Sequence, residues 1–265
     1  MSGARRLMRF LDGGGRLRLG EQLGVGEVQP LMGDLFGETR PDGAPIPLAG
    51  LRILAPVVPG KVIGVGSNYR AHALEMGKPL PEVPKIFLKP STSVVGPGEA
   101  IRLPPTSARV DHEAELGVVI GRTMRGVPAS EASRYVLGYT AVNDVTARDF
   151  QKADGVFARA KGYDTFCPLG PVIVTGLEDE GLDPADLAVR ARVNGQLRQD
   201  GRSSDLIFDV PTLLAFISEI MTLQPGDVIA TGTPSGVGPI AAGDVVEIEV
   251  EGVGVLRNPV EVRPS

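Results

Sequence analysis

Two acidic side chains near the middle of the chain have the spacing of a cation site. Glu113 and Glu115 lie in residues 111–120, and the apolar residues 116–120 predict a buried strand. In a strand, side chains two positions apart point to the same face, about 6.5–7 Å apart. Like charges beside a core repel each other and lose hydration unless a cation lies between them. A solvated strand face explains the same pattern, and both interpretations stay open.

A third acid follows a second apolar segment. Residues 137–142 predict a strand that ends at Asn143 and Asp144. Three oxygen ligands without a cysteine or histidine set favour a hard divalent cation, Mg²⁺ or Mn²⁺. Alternatively, Asp144 caps a helix that is predicted to begin near Thr146.

One histidine has a carboxylate three positions further along the chain. His72 is one of two histidines, and a helical turn would place it beside Glu75. A neighbouring carboxylate fixes the tautomer of an imidazole and raises its basicity, as a general base requires. A surface contact between the two side chains is the alternative.

Two lysines and one loop are candidates for binding an anion. Lys89 follows the apolar residues 86–88, and Lys161 precedes a glycine. Each is either a solvated end or a cation that faces an enolate or a substrate carboxylate. Residues 231–238, rich in glycine and threonine, either cradle a carboxylate with N–H groups and two hydroxyls or form a hairpin loop.

The elements that must position these residues are mostly short strands. The chain has 265 residues with 35 glycines and 23 prolines, which favours strands joined by tight turns. Residues 210–221 predict the clearest helix, with apolar positions on one side. We therefore predict a β-dominated α+β fold, with residues 1–55 as a small N-terminal β appendage and residues 56–265 as the catalytic domain.

Composition and charge exclude several classes of protein. A net charge of −5 argues against a nucleic-acid partner, and a single cysteine excludes a disulfide framework. No run of 18 apolar residues occurs, so we expect no membrane partner and a cytoplasmic location.

Taken together, these stretches resemble the fumarylacetoacetate hydrolase family. They keep their order over about three quarters of the chain, in residues 68–75, 87–91, 112–119, 143–149, 160–162, 193–199 and 231–238. The resemblance implies mixed β-sheets rolled around a central cavity, a homodimer, and Mg²⁺ or Mn²⁺ as cofactor.

The resemblance also implies a role for each candidate residue. Glu113, Glu115 and Asp144 would be the metal ligands, and His72 with Glu75 would be the base dyad. Lys161 would stabilise the developing anion. The expected contacts to substrate come from four further residues, Arg148, Gln151, Thr233 and Lys89.

The implied activity is metal-dependent cleavage of a C–C bond in a small anionic 2-oxoacid. It would be acylpyruvate-type hydrolysis or oxaloacetate-type decarboxylation, through an enolate that the metal stabilises. The short spacing of His72 and Glu75 resembles the acylpyruvase and decarboxylase branch. Two alternatives stay open: isomerisation of 2-hydroxyhepta-2,4-diene-1,7-dioate with decarboxylation of 5-oxopent-3-ene-1,2,5-tricarboxylate in aromatic catabolism, or an inactive relative that binds metal or carboxylate.

Overall fold

Strands make up most of the regular structure. The computed structural model describes residues 3–71 and 80–264. Within them the strands are β1 (Arg5–Leu11), β2 (Leu17–Leu23), β3 (Glu27–Gly33), β4 (Thr39–Pro41), β5 (Ile46–Pro47), β6 (Arg52–Leu54), β7 (Val62–Gly66), β8 (Lys85–Lys89), β9 (Val94–Val95), β10 (Ile101–Leu103), β11 (Val110–His112), β12 (Ala114–Ile120), β13 (Val136–Asn143), β14 (Thr146–Ala147), β15 (Cys167–Thr175), β16 (Ala188–Val193), β17 (Gln196–Arg202), β18 (Val228–Ala230), β19 (Gly238–Pro239), β20 (Val245–Val250) and β21 (Gly254–Val262).

The α-helices of the described residues are short. They are α1 (Ala129–Ala132), α2 (Arg148–Asp154), α3 (Ala158–Lys161) and α4 (Val210–Ile220). Single turns of 3-10 helix lie at Ser91–Ser93, Ser133–Tyr135, Leu177–Glu180, Pro184–Asp186 and Ser203–Asp205. None of the helices in residues 3–71 and 80–264 has the length and apolar character needed to cross a membrane.

The apolar pattern of residues 210–221 predicts a helix, and the structure confirms it as α4, the longest helix of residues 3–71 and 80–264. Asp209 caps its first turn by accepting a hydrogen bond from the Thr212 N–H, and Pro211 stands in that turn. Its apolar face is buried along residues spaced three and four apart, Val210, Leu213, Leu214 and Ile217.

Within the part of the chain that the structure describes, the largest sheet has thirteen strands, ten of them in the order β4-β3-β2-β1-β15-β13-β12-β18-β7-β8. Most neighbours are antiparallel, whereas β7 and β18 are parallel. The sheet is therefore mixed, and it curls into a half-barrel. The predicted architecture, β-dominated α+β with rolled mixed sheets, is confirmed.

A five-stranded sheet, ordered β10-β21-β20-β16-β17, packs against β12, β13 and β15 of the large sheet. Apolar side chains of both sheets, including Leu116, Val118, Val189 and Ile248, form one buried core. A small third sheet pairs β11 with β14 and β19. This packing places β17 close to Ala114, the first residue of β12, which stands between the predicted metal ligands Glu113 and Glu115.

The N-terminal strands continue the large sheet. β1 pairs with β15 through the register Arg5↔Thr175 to Leu7↔Ile173, so residues before 56 share hydrogen bonds with later strands. The division into residues 1–55 and 56–265 stays a prediction.

The helix expected from Thr146 begins two residues later. Thr146 and Ala147 instead form β14, because Ala147 pairs with Val110 of β11. The helix starts at Arg148, and its N-cap residue, Ala147, makes no side-chain hydrogen bond. Asp144 therefore does not cap this helix, and that alternative is wrong.

We expect a methyl group at Gly138 to destabilise the sheet. An added Cβ would lie 2.3 Å from the main-chain oxygen of Val174 on the neighbouring strand, so one strand must shift. Overpacking of this kind costs about 1–3 kcal/mol. Urea denaturation of Gly138→Ala should show that loss. Gly13→Ala, whose Cβ meets nothing within 4 Å, should keep the parent stability.

Candidate metal centre

The three acids predicted as metal ligands converge at the ends of two paired strands. Ala114 pairs with Asn143, and the Asp144 N–H donates to the main-chain oxygen of Glu113 at 2.9 Å, so Glu113 and Asp144 are neighbours. Glu115 lies two residues further along β12. One carboxylate oxygen from each acid lies within 4.8 Å of the others, and all three side chains are buried. The interpretation as a solvated strand face is wrong.

Of the three acids, Glu115 has the fewest groups near it that offset its negative charge. Its side chain is 1% exposed, and among the described residues its carboxylate accepts one hydrogen bond, from the Gly232 N–H at 2.8 Å. Burial, with the nearby charges of Asp144 and Glu113, raises its pKa well above the ordinary value. Three buried carboxylates, one of which has no positively charged partner among the described residues, fit a hard divalent cation. The residues present therefore suit Mg²⁺ or Mn²⁺.

Lys161 lies between two of the acids. Its Nζ donates to Glu113 Oε2 at 2.9 Å, to Thr146 Oγ1 at 2.9 Å and to Asp144, and it lies 4.8 Å from the centre of the Phe87 ring. Burial by itself lowers the pKa of this ammonium, but the carboxylates outweigh burial and the pKa is raised. The same ammonium, with Arg148, holds the pKa of Glu113 below its usual range although burial acts the other way.

Lys89, the last residue of β8, forms an ion pair with Asp144. Its side chain is fully buried, and its Nζ donates to Asp144 Oδ1 at 2.6 Å. Neither Lys89 nor Lys161 is a solvated strand end. The described residues that line the cavity do not include Lys89. Its position therefore suits a role in holding Asp144 better than direct contact with substrate.

Arg148, at the start of α2, joins Asp111 of β11 to Glu113, which lies between β11 and β12. Its Nε donates to Asp111 Oδ2 at 2.8 Å, its Nη1 to Gln151 Oε1 at 2.9 Å, and its Nη2 to Glu113. The pKa of Arg148 is raised although burial lowers it, because Glu113 and Asp111 stabilise the charged form. Asp111 was not predicted as a site residue, although its spacing of two from Glu113 was visible in the sequence.

Residues 231–238 do not form a hairpin loop, because the strands on either side of them, β18 and β19, belong to different sheets. Residues 231–234 instead run along β12 beyond the end of β18. The hydroxyl of Thr231 donates to the main-chain oxygen of Leu116 at 3.0 Å, and that of Thr233 to the oxygen of Ala114 at 2.8 Å. Both hydroxyl protons are thus committed to the main chain. The loop does hold a carboxylate through a backbone N–H, but that carboxylate belongs to Glu115.

A cavity of about 420 Å³ opens over these groups. Its described lining consists of Val65, Gly66, Ser67, Glu113, Glu115, Arg148, Gln151, Lys152, Phe157, Lys161 and Thr233. Arg148, Gln151, Lys161 and Thr233 therefore face one space, as a shared substrate site requires, and their contacts with substrate stay a prediction. His72 and Glu75 lie outside the described residues.

Known proteins match both the sequence and the fold. A family model described as Fumarylacetoacetate (FAA) hydrolase C-terminal matches residues 61–261, and one described as Rv2993c-like, N-terminal matches residues 5–56. The chain is 44% identical over 222 residues to the mitochondrial oxaloacetate tautomerase fahd2 of Xenopus laevis, which covers 80% of this chain and 69% of the relative.

Two solved structures superpose over almost the whole chain. The 2-hydroxyhepta-2,4-diene-1,7-dioate isomerase from Mycobacterium marinum is 44% identical with a TM-score of 0.89, covering 98% of this chain and all 100% of that chain. The maleylpyruvate hydrolase from Sphingobium sp. SYK-6, in complex with a manganese(II) ion and pyruvate, is 35% identical with a TM-score of 0.80 and covers 98% and 100%.

Lys161→Met should destabilise the metal-free protein. The substitution leaves the buried carboxylates of Glu113 and Asp144 without their shared ammonium, and breaking a buried ion pair costs about 3–5 kcal/mol. We expect about 3 kcal/mol, because each carboxylate keeps one other cation. Urea denaturation in EDTA measures the change, with the exposed Lys152→Met as control. Equal stability of parent and Lys161→Met would contradict the role of this ammonium as counter-ion.

Proposed function

The chain belongs to the fumarylacetoacetate hydrolase family, and from that membership we propose that it is a divalent-metal-dependent enzyme acting on a small anionic 2-oxoacid. The observation that carries the proposal is the convergence of Glu113, Glu115 and Asp144 within 4.8 Å beside a cavity. We propose these three residues as the ligands of Mg²⁺ or Mn²⁺. Manganese and pyruvate in the related maleylpyruvate hydrolase support both the ion and the substrate class.

The charges around the site favour an anionic substrate once a divalent ion is bound. Among the described residues the cluster contains four acids and four bases, namely Asp111, Glu113, Glu115, Asp144, Lys89, Arg109, Arg148 and Lys161. Its formal charge is therefore zero, and a divalent ion changes that to two positive units. A carboxylate entering a partly desolvated cavity is stabilised by that excess.

The chain's own groups bind and orient the substrate in this proposal. A divalent ion held by the three acids would polarise the 2-oxo group and stabilise the enolate charge that develops there. Lys161 presents a fixed ammonium to the same cavity, and Gln151 is oriented by its hydrogen bond from Arg148. Phe157 and Val65 supply the apolar wall that limits water. A cavity of about 420 Å³ suits a small acid.

Cleavage of a C–C bond is the first candidate reaction. In acylpyruvate-type hydrolysis, His72 with Glu75 would take a proton from water that attacks the distal carbonyl. In oxaloacetate-type decarboxylation the same enolate forms without attacking water. The dyad is proposed from the sequence alone, as are the homodimer and the cytoplasmic location.

Proton transfer without bond cleavage is the second candidate. The relatives at 44% identity are an oxaloacetate tautomerase and a diene-dioate isomerase, whereas the hydrolase is 35% identical. Both of those reactions move a proton next to a 2-oxo group, so on this chain the same enolate and the same proposed dyad, His72 with Glu75, would serve them.

Glu115→Gln should abolish both metal binding and turnover. The amide removes one of three charged ligands yet still accepts the Gly232 N–H, so the fold is retained. Changes outside the ligand set cost about 10–100-fold in metal affinity, so loss of a ligand should cost at least about 100-fold. Calorimetric titration with Mn²⁺ measures it, with the exposed Glu131→Gln as control. Retained affinity and activity would contradict the proposed ligand set.

A screen of three substrates separates the candidate reactions. Acetylpyruvate, oxaloacetate and a 2-hydroxydienedioate are incubated with the metal-loaded enzyme, and products are followed by absorbance and NMR. We expect turnover of at least one substrate, lost in EDTA. Release of pyruvate or CO₂ identifies cleavage, whereas interconversion of keto and enol forms identifies tautomerisation. Metal binding without any turnover would favour the inactive relative.

A further inference from the structure

Gln199 makes four hydrogen bonds next to the metal centre without facing the cavity. It lies on β17 of the five-stranded sheet and is 1% exposed. Its Oε1 accepts from the Ala114 N–H at 2.9 Å and lies 3.1 Å from His112 Nδ1. Its Nε2 donates to Thr233 Oγ1 at 2.7 Å and to the main-chain oxygen of Pro234 at 2.8 Å.

The main-chain partners determine the direction of every bond in this network. The Ala114 N–H can only donate and the Pro234 oxygen can only accept, which fixes the orientation of the Gln199 amide. His112 Nδ1 must then carry a proton, because it faces an oxygen. Thr233 Oγ1 accepts from Gln199, and its own proton goes to the Ala114 oxygen.

The network bonds to β12 beyond the point where its pairing with β18 ends. β18 pairs with β12 over residues Gly117 to Val119, and within the described residues no strand pairs on that side with the section that carries Glu115. Gln199 and the hydroxyl of Thr233 bond instead to the N–H and the C=O of Ala114, the residue between Glu113 and Glu115.

We propose that Gln199 is a positioning residue that fixes the separation of Glu113 and Glu115 and thereby selects the size of the ion. The inference rests on the proposed function, because it assumes that these two acids hold the metal. Gln199 acts through the main chain of Ala114 and through Thr233, which belongs to the loop that donates the Gly232 N–H to Glu115.

The physical basis for selection is the difference between two cations. Mg²⁺ requires near-octahedral oxygen ligands at about 2.0–2.1 Å, whereas Ca²⁺ accepts flexible arrangements at about 2.3–2.6 Å. Loss of the hydrogen bonds that Gln199 and Thr233 make to the main chain of Ala114, here called the Ala114 clamp, should therefore lower the affinity for Mg²⁺ more than the affinity for Ca²⁺. A general loss of stability would weaken the two affinities equally, so their ratio reports positioning.

The test compares Gln199→Met with the parent chain. Methionine has a similar volume and none of the four hydrogen bonds. Circular dichroism in EDTA checks the fold, and calorimetric titrations with MgCl₂ and CaCl₂ give the affinities. We expect Mg²⁺ affinity to fall at least about 10-fold and Ca²⁺ affinity to fall less, so the Mg²⁺/Ca²⁺ ratio decreases. Gln196→Met, an exposed change on the same strand, should leave both affinities unchanged.

The outcomes separate this inference from the proposed function. If the parent chain binds neither ion, the proposed function fails and the inference fails with it. If the parent binds Mg²⁺ and Gln199→Met keeps the parent ratio, only the positioning role is overturned. If Gln199→Met does not fold, Thr233→Val and Thr233→Ser test the same clamp. The ratio should fall in the valine variant, which lacks the hydroxyl, and equal ratios in the two variants overturn the inference.

Discussion

Three carboxylates within 4.8 Å of one another in a buried site repel each other, and the surrounding structure is organised to offset that repulsion. Two lysines reach Asp144 from different elements, one from β8 and one from α3. Arg148 pairs with Glu113 from the start of α2. Glu115 receives only a backbone N–H from the described residues, so its charge is the least compensated. The distribution of cations therefore leaves one region of the cluster electronegative enough to hold a divalent ion.

The two large sheets contribute differently to this site. The curled sheet supplies β12 and β13, whose antiparallel register makes neighbours of Glu113, just before β12, and Asp144, just after β13. The five-stranded sheet supplies Gln199, which bonds to β12 where β18 no longer does. Packing of the sheets is therefore a condition for the geometry of the acids as well as for stability.

The proposed chemistry explains how relatives with different named activities can share this arrangement. Tautomerisation, isomerisation and hydrolysis of a 2-oxoacid are each chemically possible from an enolate beside a divalent ion. In the proposed function, the acids, the lysines and Arg148 would serve that common step. The reaction that follows the enolate would depend on the positions of a base and of water relative to the cavity wall.

Local patterns in the sequence were sufficient to predict some elements and some site residues of this protein. The period of a strand placed Glu113 and Glu115 on one face, and the period of a helix gave residues 210–221, because both depend on near neighbours. Tertiary structure decided which groups meet these acids. Lys89 is 55 residues from Asp144, and Gln199 is 85 residues from Ala114. Such contacts follow from strand register and sheet packing, which no local spacing encodes. For the same reason α2 begins at Arg148 and not at Thr146, because β14 pairs with β11.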